Sequence, residues 1–427
     1  MDNINQMLTP WEPSRPPSAI AKNTGQGVQT ITVRVTPAAA RAVRSGHPWV
    51  FDQALTHQNR SGASGDLAAI YDANRRFLAI GLYDPASPIR IRVLQRAHTV
   101  TIDAAFFKKR IEVAASKRCH LEGAQTTAYR LVHGENDHLP GLIVDRYDDT
   151  LVMKVYTAAW LSWLDPLLIA LEQVQPAKRV VLRLSRSVNT SDLGSPHLKD
   201  ALVLKGPPLD GPIAFLENGL SFEADVVHGH KTGFFLDQRE NRQRVERLAA
   251  GTRVLNVFSY TGAFSVYAAR GGALSVTCVD QSQPALKIAA KHFERNAHFP
   301  FVAAAEHHVI AGDAFHVLDN LRNQQQQFDL VVIDPPAMAY KLAQVDKALH
   351  AYRRLVQLGL GVLRGQGTLV LASCSSRVGA STFFETVHTT ANRMRRPLRE
   401  IERTEHAADH PVGFEYGAYL KAMFAIG

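Results

Sequence analysis

Residues Arg253–Arg270, RVLNVFSYTGAFSVYAAR, read as a short apolar strand, a turn of small and hydroxyl residues, and an apolar-faced helix. A strand that delivers a loop to a helix N-terminus makes a ligand site, because the first N–H groups of the helix are unpaired and carry partial positive charge. Gly262 in that turn would let a ligand approach the backbone without meeting a Cβ. Eighteen residues later the apolar run LSVTCVD ends on Asp280. An acidic residue closing the second strand of a strand–helix–strand unit is placed to hold the two hydroxyls of a ribose. One glycine is not a GxGxxG, so a mononucleoside fits better than a dinucleotide; the alternative is an ordinary βα turn beside a solvated Asp280.

Outward from this unit the alternation continues. Upstream, HGHKTGFFLDQRENR (His228–Arg242) precedes a helix closed by Gly251. Downstream come a helix over 283–296, the strand HVIAGDA, a helix near 315–322 and the strand LVVIDPP. A helical stretch 341–364, the strand TLVLASCS, a helix over 380–394 and two closing strands follow. This pattern predicts a mostly parallel, doubly wound sheet with its ligands at the carboxyl ends of the strands. Asp280, Asp313, Asp334 and Cys374 each fall at such an end. Asp334-Pro335-Pro336 closes its strand with a rigid turn that drops a backbone donor. The plainer readings are a helix N-cap for Asp334 and a turn residue for Asp313. Cys278, inside an apolar strand, and Cys119, near a helix end, read as small hydrophobes. Cys374, between Ser373 and Ser375, faces the same edge as Asp334, where donors and helix N-termini could stabilise a thiolate.

Before Val227 the pattern changes. Short β segments TITVRVT, HPWVFDQAL, DLAAIYDA, FLAIGLYD and IRIRVL predict a small β-barrel. The helix AAFFKKRIEVAASKR, the runs LIVDRY, LVMKVY and VVLRLS, and an amphipathic segment over Trp160–Leu171 predict an α+β layer. A hairpin across Glu217-Asn218-Gly219 leads into the last part. The expected division is a proline-rich, unstructured extension over 1–28, a barrel over 29–100, an α+β domain over 101–206, and hairpin plus α/β domain over 207–427.

The formal net charge of +9 points to a polyanionic partner. Between Arg75 and Arg118 stand Arg75, Arg76, Arg90, Arg92, Arg96, Lys108, Lys109, Arg110, Lys117 and Arg118, enough for a phosphate-binding face or a solvated surface. Three cysteines at unrelated spacings argue against a disulfide framework and a zinc site, and His228 with His230 has no third ligand at metal spacing. No metal is expected, and the setting is a reducing cytoplasm. No apolar run reaches the roughly 20 residues that cross a bilayer, so no membrane partner is expected.

SGHPWVF (Ser45–Phe51) with GLYDPASPIRIRVL (Gly81–Leu94) resembles the PUA domain, an RNA-binding module, that heads a family of RNA cytosine methyltransferases, and GENDHLPGLIVDRY (Gly134–Tyr147) is similar to their middle domain. KTGFFLDQRENR, NVFSYTGAFS, CVDQS, IDPPA and ASCS, in this order, resemble the class I S-adenosylmethionine-dependent 23S rRNA (cytosine-C5) methyltransferases of the large-subunit type. ADHPV (Ala408–Val412) and YLKAMF (Tyr419–Phe424) resemble the family's closing segment. Two departures are SRSVNTSDLG, where relatives carry an Arg-Ser-Asp run, and Val356, where they tend to carry Asn. The resemblance implies a Rossmann-like methyltransferase domain behind the PUA-like and α+β domains, with S-adenosyl-L-methionine as cofactor and ribosomal RNA as partner. It implies that Ser259, Tyr260, Thr261 and Gly262 line the methionine part, Asp280 holds the ribose and Asp313 sits near the adenine amine. It further implies that Phe235, Asp237, Gln238 and Arg239 cap the cofactor, that Asp334 and Pro335 lie beside the sulfonium, and that Cys374 adds to cytosine while Asp334 binds its N3/N4 edge. The oligomeric state is left open, a homodimer included. Two rivals are an exocyclic-amine methyltransferase, for which Ala337 replaces the usual aromatic residue after Asp334-Pro335-Pro336, and a non-catalytic RNA-binding assembly factor.

Overall fold

The computed structural model of the chain describes residues 27–121, 125–188 and 198–427. The extension expected over 1–28 falls almost wholly outside the described residues, as does most of SRSVNTSDLG. β1 (Thr30–Val35), β2 (Trp49–Phe51), β3 (Leu55–Gln58), β4 (Leu67–Tyr71), β5 (Phe77–Tyr83) and β6 (Ile89–Arg96) form one sheet of order β2-β6-β5-β4-β1-β3. HPWVFDQAL gives two strands rather than one, because a turn of 3-10 helix at Asp52–Ala54 splits it. α1 (Pro37–Arg44), unforeseen in the sequence, starts where Thr36 Oγ1 accepts the Ala39 N–H and Pro37 fixes the first turn.

The middle unit holds α2 (Ala104–Ser116), β7 (Ala128–His133), β8 (Leu142–Tyr147), β9 (Thr150–Val155), α3 (Leu164–Val174), β10 (Arg179–Leu184) and β11 (Leu202–Lys205), its sheet ordered β11-β10-β9-β8-β7. β7 escaped the sequence reading because Arg130 and His133 interrupt its apolar run, although all six residues are buried. Phe107, Trp160 and Trp163 pack in one core with Leu67, Leu82 and Leu94 of the first sheet, so the two units share apolar surface. The ten basic residues of 75–118 do not share a face. Arg92 and Arg118 are buried, Arg118 and Lys117 pair with Asp137, and Lys108 pairs with Glu112.

β12 (Ile213–Glu217) and β13 (Leu220–Ala224) make the expected hairpin, with Asn218 at φ 51° and Gly219 at φ 81°, the two left-handed positions of a type I′ turn. Then come α4 (Arg239–Leu248), β14 (Arg253–Val257), α5 (Ala263–Arg270), β15 (Ser275–Asp280), α6 (Gln283–Arg295), α7 (Pro300–Ala304), β16 (Glu306–Ala311), α8 (Ala314–Asn323) and β17 (Phe328–Ile333). The chain closes with α9 (Val345–Val362), β18 (Leu363–Ser373), α10 (Ala380–Arg393), β19 (Arg399–Thr404) and β20 (Lys421–Ile426). The sheet order is β16-β15-β14-β17-β18-β20-β19, parallel from β16 to β18 and antiparallel at β20 and β19. Alternate residues face two cores: Val254, Leu330, Val332, Val370 and Phe424 one, Leu255, Val257, Val331, Ile333 and Met423 the other. Such strands, apolar on both faces, require helices on both sides. Val356 is fully buried in the second core, so that departure concerns packing.

Candidate active site

The carboxyl ends of β14, β15, β16, β17 and β18, with the His230–Gln238 segment before α4, surround a cavity of about 460 Å³. Topology alone brings them together, since β14 and β17 are neighbours in the sheet and their chain directions agree. Phe235, Asp237, Gln238, Ser259, Tyr260, Thr261, Asp280, Asp313, Asp334, Pro335 and Cys374 all line it. Gly262 and Arg239 do not.

Gly262 is the N-cap of α5 at φ +74°, and a Cβ there would lie 2.7 Å from Ala289 Cβ of α6. Its freedom serves the close packing of two helices instead of ligand approach. Arg239 turns away from the cavity and donates to Asp409 Oδ1 at 2.9 Å, both groups buried.

In the β14–α5 loop Phe258 and Tyr260 adopt left-handed backbone, at φ 61° and φ 48°, a costly conformation for side chains this large. Asp280 supports it: Oδ2 accepts the Tyr260 N–H at 2.8 Å and Oδ1 the Ser282 N–H at 2.9 Å, leaving lone pairs for a ligand. Asp313 caps α8, its Oδ1 accepting from the Phe315 and His316 N–H groups, so it is a helix N-cap rather than the turn residue of its plainer reading, and it also borders the cavity.

Asp334 is not an N-cap. Its Oδ2 accepts Gln238 Nε2 at 2.9 Å, and the amide is oriented by a relay in which Asn241 Nδ2 donates to Gln238 Oε1 and Thr404 Oγ1 donates to Asn241. Burial, and after it the charge of Asp237, push the Asp334 carboxyl up to about 7. Asp237 goes the other way. Burial alone would raise it, but Lys231 and His410 hold its carboxyl well below the usual range, with Tyr419 Oη donating at 2.8 Å. Its Oδ1 is buried and has no partner among the described residues.

Cys374 Sγ faces Pro335 O at 3.7 Å. The expected thiolate is not what this setting favours. Burial first, then the negative charge of Asp334, push the thiol up to about 12, partly opposed by Lys231. Cys278 is buried, 3.0 Å from Ser265 Oγ, with its thiol pushed up to about 11, and Cys119 is exposed. Lys231, Tyr419 and Leu420 escaped the sequence reading. Lys231 opened the KTGFF run and Tyr419 and Leu420 the YLKAMF run, but neither run assigned these residues a role, because their partner Asp237 and the cavity lie far from Tyr419 in the chain. Among the described residues no group of three or more His, Cys, Asp or Glu is placed to hold a metal, and no helix is long and apolar enough to cross a membrane.

Residues 130–425 match the model of a family described as S-adenosylmethionine-dependent methyltransferase, and residues 33–96 that of a PUA-like domain. A curated "Ribosomal RNA large subunit methyltransferase" of Deinococcus radiodurans is 44% identical over 401 residues, 92% of this chain and 97% of that one. A "Ribosomal RNA large subunit methyltransferase I" of Pseudoalteromonas translucida is 35% identical over 386 residues, 90% of this chain and 96% of that one. A putative methyltransferase solved in complex with SAH superposes with a TM-score of 0.79 at 24% identity, covering 93% of this chain and 100% of the other, which shows a shared fold.

Proposed function

The chain belongs to the S-adenosylmethionine-dependent methyltransferase family, and from this premise we propose that it methylates carbon 5 of a cytosine in large-subunit ribosomal RNA through a covalent adduct on Cys374. S-adenosylmethionine is the cofactor and supplies an electrophilic methyl group. The cavity fits it: the orphaned Asp237 Oδ1 suits the α-ammonium group, the remaining lone pairs of Asp280 suit the ribose hydroxyls, and Phe235 and Tyr260, 5.4 Å apart and edge to face, supply apolar wall. The RNA substrate is taken from the names of the relatives that this chain matches over nine-tenths of its length.

The observation that carries carbon-5 chemistry is the pairing of Cys374 with a carboxyl poised near neutrality, both on one cavity wall. Carbon 5 of cytosine is a poor nucleophile until a thiolate adds to carbon 6. Protonated Asp334 donates to N3 and accepts from the N4 amine, drawing electrons from carbon 6. While it is protonated, Asp334 carries no charge to oppose the thiolate. Cys374 Sγ, its proton passed to solvent, then bonds to carbon 6 as N3 takes the Asp334 proton. Carbon 5 takes the methyl group and gives up its proton to a base, water in the simplest case, and the C–S bond breaks to release the thiolate and restore the 5,6 double bond as N3 returns its proton to Asp334. The target base must leave its stack to enter a cavity of this kind.

The test uses labelled cofactor and RNA carrying 5-fluorocytidine at the target. Fluorine replaces the proton that must leave, so a protein–RNA adduct should survive denaturation and map by peptide to Cys374. Methylated product from a fully active Cys374→Ala enzyme would overturn the mechanism, and product analysis showing an N4-methylated base would favour the amine reading.

A further inference from the structure

Three of the stretches singled out in the sequence, SGHPWVF, GENDHLPG and ADHPV, contribute nothing to the cavity. The fold gathers residues from the first two, with the loop that follows the third, around a separate cleft of about 1290 Å³. One wall carries Arg96 and Arg110, neither in an ion pair among the described residues. Arg110 is held by Leu94 O and Gln95 Oε1, at 3.2 and 2.8 Å, and lies 5.1 Å from the Phe106 ring. Burial and then the neighbouring Arg96 hold the Arg110 guanidinium below its usual range, and His138 is lowered by burial, Arg110, Lys117 and Arg96, so cations there face one another. Glu135, the one acid among the described lining residues, accepts the Trp49 indole N–H at 2.8 Å.

An aromatic cluster adjoins the cleft through two residues that line it, His47 and Phe414. Trp49 lies 5.4 Å from Phe414 and 5.9 Å from Tyr416, with the Trp49 and Tyr416 planes 31° apart. Phe51 and Tyr416 are 45% and 49% exposed, a poor place for rings that have nothing to cover them. Guanidinium groups without carboxylates beside exposed rings are the two elements that bind single-stranded nucleic acid: cations for phosphates, ring faces for unstacked bases. A duplex hides its base faces and would leave the rings bare.

We propose that this cleft holds a single-stranded stretch of the RNA flanking the target base, phosphates against Arg96 and Arg110 and bases stacked on Phe51 and Tyr416. The inference rests on the reading of RNA as substrate. It also joins the cleft to the catalytic cavity. Asn136 Oδ1 accepts the Gly413 N–H at 2.6 Å and lies 3.3 Å from where a Gly417 Cβ would stand, pinning the ring-bearing loop to the middle unit. From Tyr416 the chain runs three residues, at most about 10 Å, to Tyr419, whose hydroxyl donates to Asp237.

The test measures binding of a labelled oligouridylate, and of an RNA duplex of equal length, to full-length protein across a salt series. Phe51→Ala with Tyr416→Ala should weaken oligouridylate binding about tenfold or more with an unchanged salt slope. Arg96→Gln with Arg110→Gln should lower that slope by about 1.4, from two single-strand phosphate contacts. Asn136→Ala, which touches no RNA in this scheme, should weaken binding less and leave the slope alone. Calorimetric affinity for S-adenosylmethionine should stay the same in all three, which also reports that they fold. If wild type binds and methylates RNA while both double variants bind like wild type, or if the duplex binds better and loses affinity in the variants, the cleft is not the site. A wild-type protein that neither binds nor methylates RNA would overturn the substrate reading and this inference with it.

Discussion

The charge of Asp334 acts on Cys374, and that coupling gives a pH-dependent prediction. The carboxyl, pushed up to about 7, is ionised above neutrality and then opposes the thiolate; below neutrality it is a proton donor and the opposition is gone. Asp334→Asn removes the charge at every pH. The rate of Cys374 alkylation by iodoacetamide, followed by peptide mapping, should therefore be higher in the variant than in wild type, and the ratio should grow as pH rises past about 7. A ratio independent of pH would separate the two groups electrostatically. Asn still offers one donor and one acceptor to the base edge but cannot give up a proton, so kcat should fall about a hundredfold or more with KM little moved. Beneath this pair Lys421 Nζ donates to Ser375 O and Val378 O, both at 2.6 Å, and fixes the loop that carries the thiol. The sequence made Asp334 and Cys374 readable because each ends an apolar run. It could not reveal their ionisation states, which depend on burial and on Asp237, a residue nearly a hundred positions away in the chain from Asp334.

At the level of the element, the turn between β14 and α5 is where reading and structure agree on shape and differ on cause. The sequence called for a glycine so that a ligand could approach; the fold needs one at Gly262 because the backbone is left-handed and Ala289 is in the way. The two causes predict different outcomes for Gly262→Ala. Left-handed backbone costs a residue with a Cβ about 1–2 kcal/mol, and the contact with Ala289 adds to it, so the urea midpoint should drop. Cofactor affinity of the folded fraction should change little. Unchanged stability with a large loss of affinity would restore the ligand-approach reading. Elements whose apolar period runs unbroken, such as β14, β15, β17 and α6, were legible from the sequence alone. α1, β7, β11 and α7 were not. α1 and α7 are too short to show a helical period, β11 is half-buried throughout, and β7 carries an arginine and a histidine whose burial makes sense only with partners from distant segments.

Those partners hold the molecule together. Arg118, Arg130, Asp137 and Asp145 of the middle unit meet Asp409 and Arg239 of the methyltransferase unit in one buried network. Asp409 Oδ2 accepts the Arg130 backbone N–H at 2.7 Å, its Oδ1 accepts from Arg239, and its carbonyl accepts from Arg118 at 2.9 Å. Asp409→Asn would leave the buried Arg239 with Glu240, at 3.0 Å, as its remaining ion-pair partner, so the change should fall at or below the low end of the roughly 3–5 kcal/mol seen when one partner of a buried pair is lost. The Asp409 carboxyl is held well below the usual range: burial opposes this, and His410 and Arg239 outweigh burial. A carboxyl depressed on folding stabilises in full above its unfolded pKa, about 4, and loses that contribution as pH falls further. The nearby His406, pushed down to about 4 chiefly by burial, and His133, held well below its usual range by burial, stay neutral in the fold while the unfolded chain protonates below about 6.5. Wild-type stability should thus decline first as pH drops from about 6.5 towards 4, from the histidines, and again below 4, from the carboxylates. The difference between wild type and Asp409→Asn, measured by urea unfolding, should be widest at neutral pH, persist through the histidine range and shrink only below about 4, because there the wild-type carboxylate is itself being neutralised. A difference that stays constant well below 4 would mean that Asp409 acts through packing and hydrogen bonds rather than through its charge.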